Sequence, residues 1–140
     1  MNLLMATGLS VIAVTLCILL HYEALNLLER TSRLLRRHRW IVLLTMYGLI
    51  LAHIVEIWLF GMAYYVAQHW LQLGEINTQT GDWFDYVYYS AIVYTTVGFG
   101  DVVPNEGLRM LTATEALAVF SLITWSASFT FLQMQRLWRP

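Results

Sequence analysis

The segment Thr95–Asp101 reads TTVGFGD and places two glycines at alternate positions of an uncharged stretch that ends in an acid. Consecutive carbonyl groups of an extended chain point to opposite sides, and they point to one side only when alternate residues take left-handed dihedral angles. Gly98 and Gly100 can take such angles without a Cβ penalty. Val97 and Phe99 are expected to point back into protein. The segment therefore predicts a ladder of backbone oxygens, and a ring of several chains could replace the water shell of a cation.

The chain contains three long apolar runs, two before this segment and one after it. Residues 3–20 carry no charge, residues 40–70 carry one formal charge, and residues 108–135 carry two. A membrane span needs about 20 mostly apolar residues, so three spans are predicted. With 59% hydrophobic residues and a mean hydropathy of +0.58, the chain is too apolar for an ordinary soluble domain. We expect an N-terminal transmembrane helix over residues 1–28, an Arg-rich loop over 29–39, and a second domain over 40–140 with long helices over 40–70 and 108–135.

Arginines indicate the orientation of these spans. They cluster between the first two runs and after the third, at Arg30, Arg33, Arg36, Arg37, Arg39, Arg136 and Arg139. Basic residues near span ends stay on the cytoplasmic side, which predicts a multi-pass protein of the plasma membrane with its N-terminus outside and its C-terminus in the cytoplasm. The outer segment is then mainly acidic and attracts cations. The loop Arg30–Arg39 either binds anionic lipid headgroups or serves orientation alone, and the sequence leaves both open.

A short helix is expected to lead into the TTVGFGD segment. Asp82 resembles a helix N-cap, with Asp85 three residues later as a weak form of the capping box. The helix predicted over residues 83–95 rises about 20 Å, too little to cross a core of roughly 30 Å. The loop over residues 96–100 then covers about 16 Å on its way back out. Such re-entrant backbone is tolerated only inside protein or along a water-filled path.

Ionisable residues inside the apolar runs are candidates for a function. His53 and Glu56 lie three residues apart in the second run, and Glu115 lies in the third. Three interpretations stay open: a satisfied structural cluster with hydroxyl groups of the short helix, a proton-sensing switch, or a metal site. The metal site is the least favoured, because one histidine and no cysteine are expected nearby. His21 and Glu23 are expected to mark the cytoplasmic interface of the first span.

Hydroxyl residues follow one face of the last run. Ser121, Thr124 and Ser128 recur at helical spacing and are predicted to line a water-filled inner cavity. The competing interpretation is that their hydroxyl groups bond to carbonyls of their own helix. Glu115 lies roughly 150° away from this stripe and should face the short helix or the second span.

The segment TTVGFGD resembles the signature of the potassium channel pore family, whose commonest form reads TTVGYGD. The resemblance extends over residues 40–135, because the order of outer helix, pore helix, selectivity filter and inner helix is the order found in that family. It implies a homotetramer that conducts K⁺ passively through a central pore. It also implies K⁺ sites at Thr96, Val97, Gly98, Phe99 and Gly100, with filter support from Thr95, Asp101, Tyr88 and Tyr89. Tryptophans usually occupy the two tyrosine positions, so the hydrogen bonds of the tyrosines are left open.

The sequence thus predicts an all-α membrane protein with three transmembrane helices, a re-entrant pore helix, a filter loop and a tetrameric pore. No nucleophile–base constellation or cofactor motif indicates an enzyme, and nothing indicates a nucleic-acid partner. The stimulus that opens such a pore is not readable, although pH is a candidate. Two other functions stay open: a cation channel with poor selectivity, and a non-conducting membrane partner that keeps the pore fold.

Phe99 stands where the family's commonest signature has tyrosine, and the missing phenol removes one tether worth about 1 kcal/mol. We expect a filter that is still selective but inactivates more readily. Phe99→Tyr should therefore lengthen the open state in single-channel recordings. Open times that do not change in this variant would contradict the prediction.

Overall fold

The computed structural model describes residues 2–34, 40–78, 80–105 and 107–138. Within these ranges the chain forms four helices: α1 (Asn2–Leu34), α2 (Trp40–His69), α3 (Trp83–Tyr94) and α4 (Leu108–Trp138). By length and composition, α1, α2 and α4 can each cross a membrane. Helix α3 has 12 residues and rises only about 18 Å. The predicted fold class is confirmed: the protein is all-helical, with three candidate spans and a short helix consistent with a pore helix.

The end of α1 differs from the sequence prediction. Residues 29–34 are predicted as loop, whereas α1 continues to Leu34. The polar side chains of this end have partners that favour the helix: Glu29 accepts hydrogen bonds from Arg33 at 3.1 Å and from Arg136 of α4 at 2.7 Å. The ends of α1 and α4 therefore lie together. Several residues of the predicted charge pattern lie outside the described residues: Arg36, Arg37, Arg39, Glu106 and Arg139.

Helix α1 packs through a face of small side chains. Ala6, Ser10, Ala13 and Cys17 recur every three or four residues and are all buried. Small residues let helix backbones approach closely. In a bilayer this matters because lipid is as apolar as leucine, so close packing and hydrogen bonds between helices hold a bundle together.

Helix α3 approaches α2 closely at Gly61. A Cβ atom at this position would lie 3.1 Å from the Cα atom of Val87 in α3. One turn further along α2, the ring of Tyr64 packs edge-on against the ring of Tyr89 at 4.9 Å between centroids. The absence of a side chain at Gly61 thus sets the distance at which the aromatic rings of α2 and α3 meet.

The loops that flank α3 are joined to each other by backbone hydrogen bonds. The N–H of Asn105 donates to the carbonyl of Glu75 at 2.9 Å, and the N–H of Gly107 donates to the carbonyl of Leu73 at 3.1 Å. The segment after α2 and the segment before α4 therefore form one unit. This unit holds the segment that enters α3 and the segment that leaves the loop after α3 together at one end of the bundle.

Replacing Gly61 by alanine is expected to destabilise the protein, although alanine is ordinarily the better helix former by up to about 1 kcal/mol. The added methyl group would meet backbone of α3, which can move only if the helix moves. Gly8→Ala is the matched control, because nothing lies within 4 Å of a Cβ atom there. Thermal unfolding in detergent should show a lower midpoint for Gly61→Ala only. Equal or raised midpoints in both variants would contradict the close approach.

Candidate functional site

The loop before α3 is fastened by Asp85. Asp82 is the N-cap residue, as predicted, but its side chain makes no capping hydrogen bond. Instead the Asp85 carboxylate accepts hydrogen bonds from the Thr80 hydroxyl at 2.8 Å and from the N–H groups of Thr80 and Gly81. The Thr80 hydroxyl bond is the main cause that holds the pKa of Asp85 below its ordinary value. A carboxylate ionised at neutral pH therefore fixes the start of α3, where the helix dipole also favours it.

Helix α3 ends in a Schellman motif. The N–H of Thr96 donates to the carbonyl of Val93 at 3.0 Å, and the N–H of Val97 donates to the carbonyl of Ile92 at 3.1 Å. Thr96 has φ +58°, the left-handed conformation that glycine usually supplies in this motif. A β-branched residue is strained there, and such strain tends to occur at functional sites.

The left-handed conformation recurs at every second residue of the loop. Thr96, Gly98 and Gly100 have φ values of +58°, +51° and +79°, whereas Val97 and Phe99 are not among the described residues with positive φ. The predicted dihedral angles of the two glycines are confirmed. Thr96 was not predicted, although its position just after a helix end is a signal for a left-handed residue. The backbone thus meets the condition for directing consecutive carbonyls to one side.

Side chains of this loop find no cover within one chain. All residues from Thr95 to Gly100 are exposed, and Val97 and Phe99 are 52% and 70% exposed. The sequence predicts that these two side chains pack into protein. They do not do so within a single chain.

The two tyrosines predicted to support the filter have different partners. The Tyr88 hydroxyl donates to Asp101 Oδ2 at 3.0 Å, and this bond is the main cause that raises the pKa of Tyr88. Tyr89 instead bonds to the Thr112 hydroxyl of α4 at 2.8 Å. The Thr95 hydroxyl donates back to the carbonyl of Ala91 in α3. Within one chain, Tyr88 therefore holds the Asp101 end of the loop, while Tyr89 braces α3 against α4.

Glu115 lies behind α3, as its helical phase predicts. It is fully buried and accepts hydrogen bonds from the Ser90 hydroxyl of α3 at 2.6 Å and from the Tyr64 hydroxyl of α2. Thr112 of α4 also contacts the Tyr64 hydroxyl, at 3.4 Å. Glu115 thus joins α4 to α2 and to α3, the helix that leads into the loop.

Glu56 belongs to a second network, so the predicted single cluster of His53, Glu56 and Glu115 is divided in two. Glu56 is fully buried, and its Oε2 lies 3.1 Å from His53 Nδ1 and also accepts a bond from the Tyr94 hydroxyl. Its Oε1 lies 2.9 Å from Nδ1 of His21, which is itself completely buried. The prediction that His21 marks an interface is wrong. Because α1 extends to Leu34, His21 lies well inside the helix, on the face that carries Cys17.

The hydroxyl residues along one face of α4 are both exposed and hydrogen-bonded within their own helix, as the two interpretations of this stripe respectively require. Ser121, Thr124 and Ser128 are exposed in a single chain. Each also donates to a carbonyl four residues earlier in α4. These residues can therefore offer oxygen lone pairs to water or ions without breaking their own helix.

Comparison with known proteins identifies a family for most of the chain. A family model described as "Ion channel" matches residues 41–136, which include α2, α3, the loop after α3 and most of α4. No curated protein and no solved structure matches the chain.

Replacing Glu115 by alanine is expected to lower the stability by several kcal/mol. The Ser90 and Tyr64 hydroxyls would lose their hydrogen-bond acceptor in a buried position, at a cost of about 1–3 kcal/mol each. Ser121→Ala is the control, because that hydroxyl is exposed and bonds only within its helix. Thermal unfolding in detergent should separate the two variants clearly. Similar midpoints for both would show that Glu115 does not join the helices.

Proposed function

Because this chain belongs to the ion channel family, we propose that it is a subunit of a potassium-selective channel in which four copies form a passive K⁺ pore. The alternation of left-handed residues at Thr96, Gly98 and Gly100 carries the proposal. It lets the carbonyls of a short loop face one axis, and rings of carbonyl oxygens are the ligands that replace the water shell of K⁺. As a member of this family, the protein is an ion channel domain and not an enzyme.

The ion sites are proposed at Thr96, Val97, Gly98, Phe99 and Gly100. None of these residues carries a charged side chain, so the backbone oxygens and the Thr96 hydroxyl act as ligands without a competing cationic donor. Helix α3 ends immediately before them, and the partial negative charge of its C-terminus favours a cation at this position. The bond from Tyr88 to Asp101 holds the outer end of the filter.

Four copies of the chain would complete this arrangement. In one chain Val97 and Phe99 are mostly exposed, and the large apolar residues Leu117 and Phe120 of α4 are 70% and 69% exposed. A closed ring buries such side chains between subunits and brings four loops to one axis. The exposed hydroxyls of Ser121, Thr124 and Ser128 would then line the cavity below the filter.

The proposed orientation places the arginine-bearing helix ends in the cytoplasm. Arg33 of α1 and Arg136 of α4 both bond to Glu29, so the two basic helix ends lie at the same end of the bundle. This agrees with the rule that basic residues near spans stay inside. Anionic lipid headgroups are proposed partners of this end. The sensitivity of the channel to pH stays a prediction.

Flux from liposomes tests the proposal. Purified protein should release K⁺ more than about tenfold faster than Na⁺, a difference of about 1.4 kcal/mol in barrier height. Ba²⁺ should block the flux. Gly98→Ala, which places a Cβ atom on a left-handed residue, should abolish it, whereas Gly8→Ala should not.

The outcomes separate the alternatives. Equal K⁺ and Na⁺ release would replace the proposal by a poorly selective cation channel. A sealed pore in reconstituted tetramers would indicate a non-conducting partner. A stable monomer or dimer by mass would contradict both channel interpretations.

A further inference from the structure

Two histidines and a glutamate from α1 and α2 converge at one buried point beside the end of α3. His21 Nδ1 lies 2.9 Å from Glu56 Oε1, and His53 Nδ1 lies 3.1 Å from Glu56 Oε2. One potential ligand atom from each of the three residues lies within 4.8 Å of the other two. The sequence disfavours a metal site here because it places only one histidine, His53, near Glu56. The fold supplies the second from α1.

We propose that His21, His53 and Glu56 bind a divalent transition-metal ion such as Zn²⁺. Two imidazole nitrogens and one carboxylate are a donor set that Zn²⁺ uses with a further ligand in the fourth position. Mg²⁺ and Ca²⁺ prefer oxygen ligands, so the two histidines select against them. The site does not depend on which ion the pore conducts.

The outer hydrogen bonds of such a site are already in place. Nε2 of His21 and Nε2 of His53 both lie 3.2 Å from the Ser126 hydroxyl of α4. One hydroxyl oxygen can accept from two N–H groups, and a proton on each Nε2 leaves each Nδ1 lone pair free for a metal. Glu56 has its own partner, because the Tyr94 hydroxyl donates to its Oε2. Each proposed ligand thus has the kind of hydrogen-bond partner that orients metal ligands in proteins.

The spacing of the ligand atoms suits a small ion. Ligand atoms around a tetrahedral Zn²⁺, at about 2.0–2.1 Å from it, lie about 3.3 Å apart. The two Nδ1 atoms lie 2.9 and 3.1 Å from different oxygens of Glu56, and one ligand atom from each residue lies within 4.8 Å of the other two, so side-chain shifts of about an ångström would bring three ligands to this spacing. A water molecule can take the fourth position, while the Tyr94 hydroxyl keeps its hydrogen bond to Glu56.

Two of the three proposed ligands are enclosed by protein. The side chains of His21 and Glu56 are fully buried, and the His53 side chain is 19% exposed in a single chain. An ion therefore enters past His53. Once bound, it links α1 to α2 directly and reaches α3 and α4 through Tyr94 and Ser126. Tyr94 is the last residue of α3, so the metal would stabilise the base of the loop Thr95–Gly100.

The competing state is a hydrogen-bond network without metal. Five contacts close a ring through Glu56, Tyr94, His53, Ser126 and His21. Five protons, one in each contact, satisfy this ring of hydrogen bonds with no net charge. The geometry is therefore compatible both with the metal-bound state and with the metal-free network. A binding experiment distinguishes them.

Tag-free protein, stripped with a chelator in detergent, should be titrated with ZnCl₂ by calorimetry and with CoCl₂ by visible absorption. We expect one ion per chain, a tetrahedral Co²⁺ spectrum, and a Zn²⁺-dependent rise of the unfolding midpoint. Absence of stoichiometric binding to the folded wild-type protein would overturn the proposal and leave the hydrogen-bond network as the role of the cluster.

Variants locate the site. His53→Gln and Glu56→Gln should lose the bound ion, and Ser126→Ala should weaken binding by about 10–100-fold. His69→Gln is the control, because His69 contacts Tyr86 and lies outside the cluster.

Where His53→Gln fails to fold, His53→Cys replaces it. The thiolate of the new cysteine remains a metal ligand and should shift the metal preference from Zn²⁺ to Cd²⁺. Unchanged Zn²⁺ affinity in His53→Gln, or unchanged metal preference in His53→Cys, would place the ion elsewhere and refute the assignment.

Discussion

Every helix leaves its last carbonyl groups without partners inside the helix, and hydrocarbon would offer none. Helix α3 meets this constraint with the chain that follows it. The carbonyl of Ile92 accepts the N–H groups of both Val97 and Gly98, and Val93 accepts that of Thr96. These bonds require a left-handed residue directly after the helix. The reversal that satisfies α3 is therefore also the first step of the alternation that continues through the loop.

Two buried carboxyl groups, those of Glu115 and Glu56, bond to α3 and hold it in place. A buried carboxyl group without hydrogen-bond partners is costly, and each of these two has polar partners on two other helices. Glu115 joins α4 to Ser90 and Tyr64, and Glu56 joins α2 to α1 and to Tyr94. Among the described residues, no buried side-chain nitrogen or oxygen lacks a hydrogen-bond partner. Polar bonds between helices thus act together with close packing to fix the position of α3 and of the loop that follows it.

The first helix is a structural part of this arrangement and not a separate anchor. Its small residues allow it to lie close to the bundle, His21 reaches Glu56, and Glu29 accepts bonds from Arg136 and Gln133 near the end of α4. These contacts tie α1 to the bundle both beside α3 and at the end of α4. A displacement of α4 must therefore break contacts with α1, which couples the first helix to any movement of the proposed inner helix.

Local properties of the sequence were sufficient for the spans, the short helix and the glycine conformations. Apolar run length limits what can cross a bilayer, and a missing Cβ atom decides which residues accept positive φ; neither depends on distant residues. The sequence alone could also place Glu115 behind α3, because helical phase relates it to Ser121 on the same helix. The partners of Glu56 could not be found in this way. His21 and Tyr94 are 35 and 38 residues from it, and they meet it only because packing sets the rotation of α1 and the depth at which α3 ends. The tertiary structure therefore decided which polar groups share a network, since helix rotation and depth result from contacts between helices.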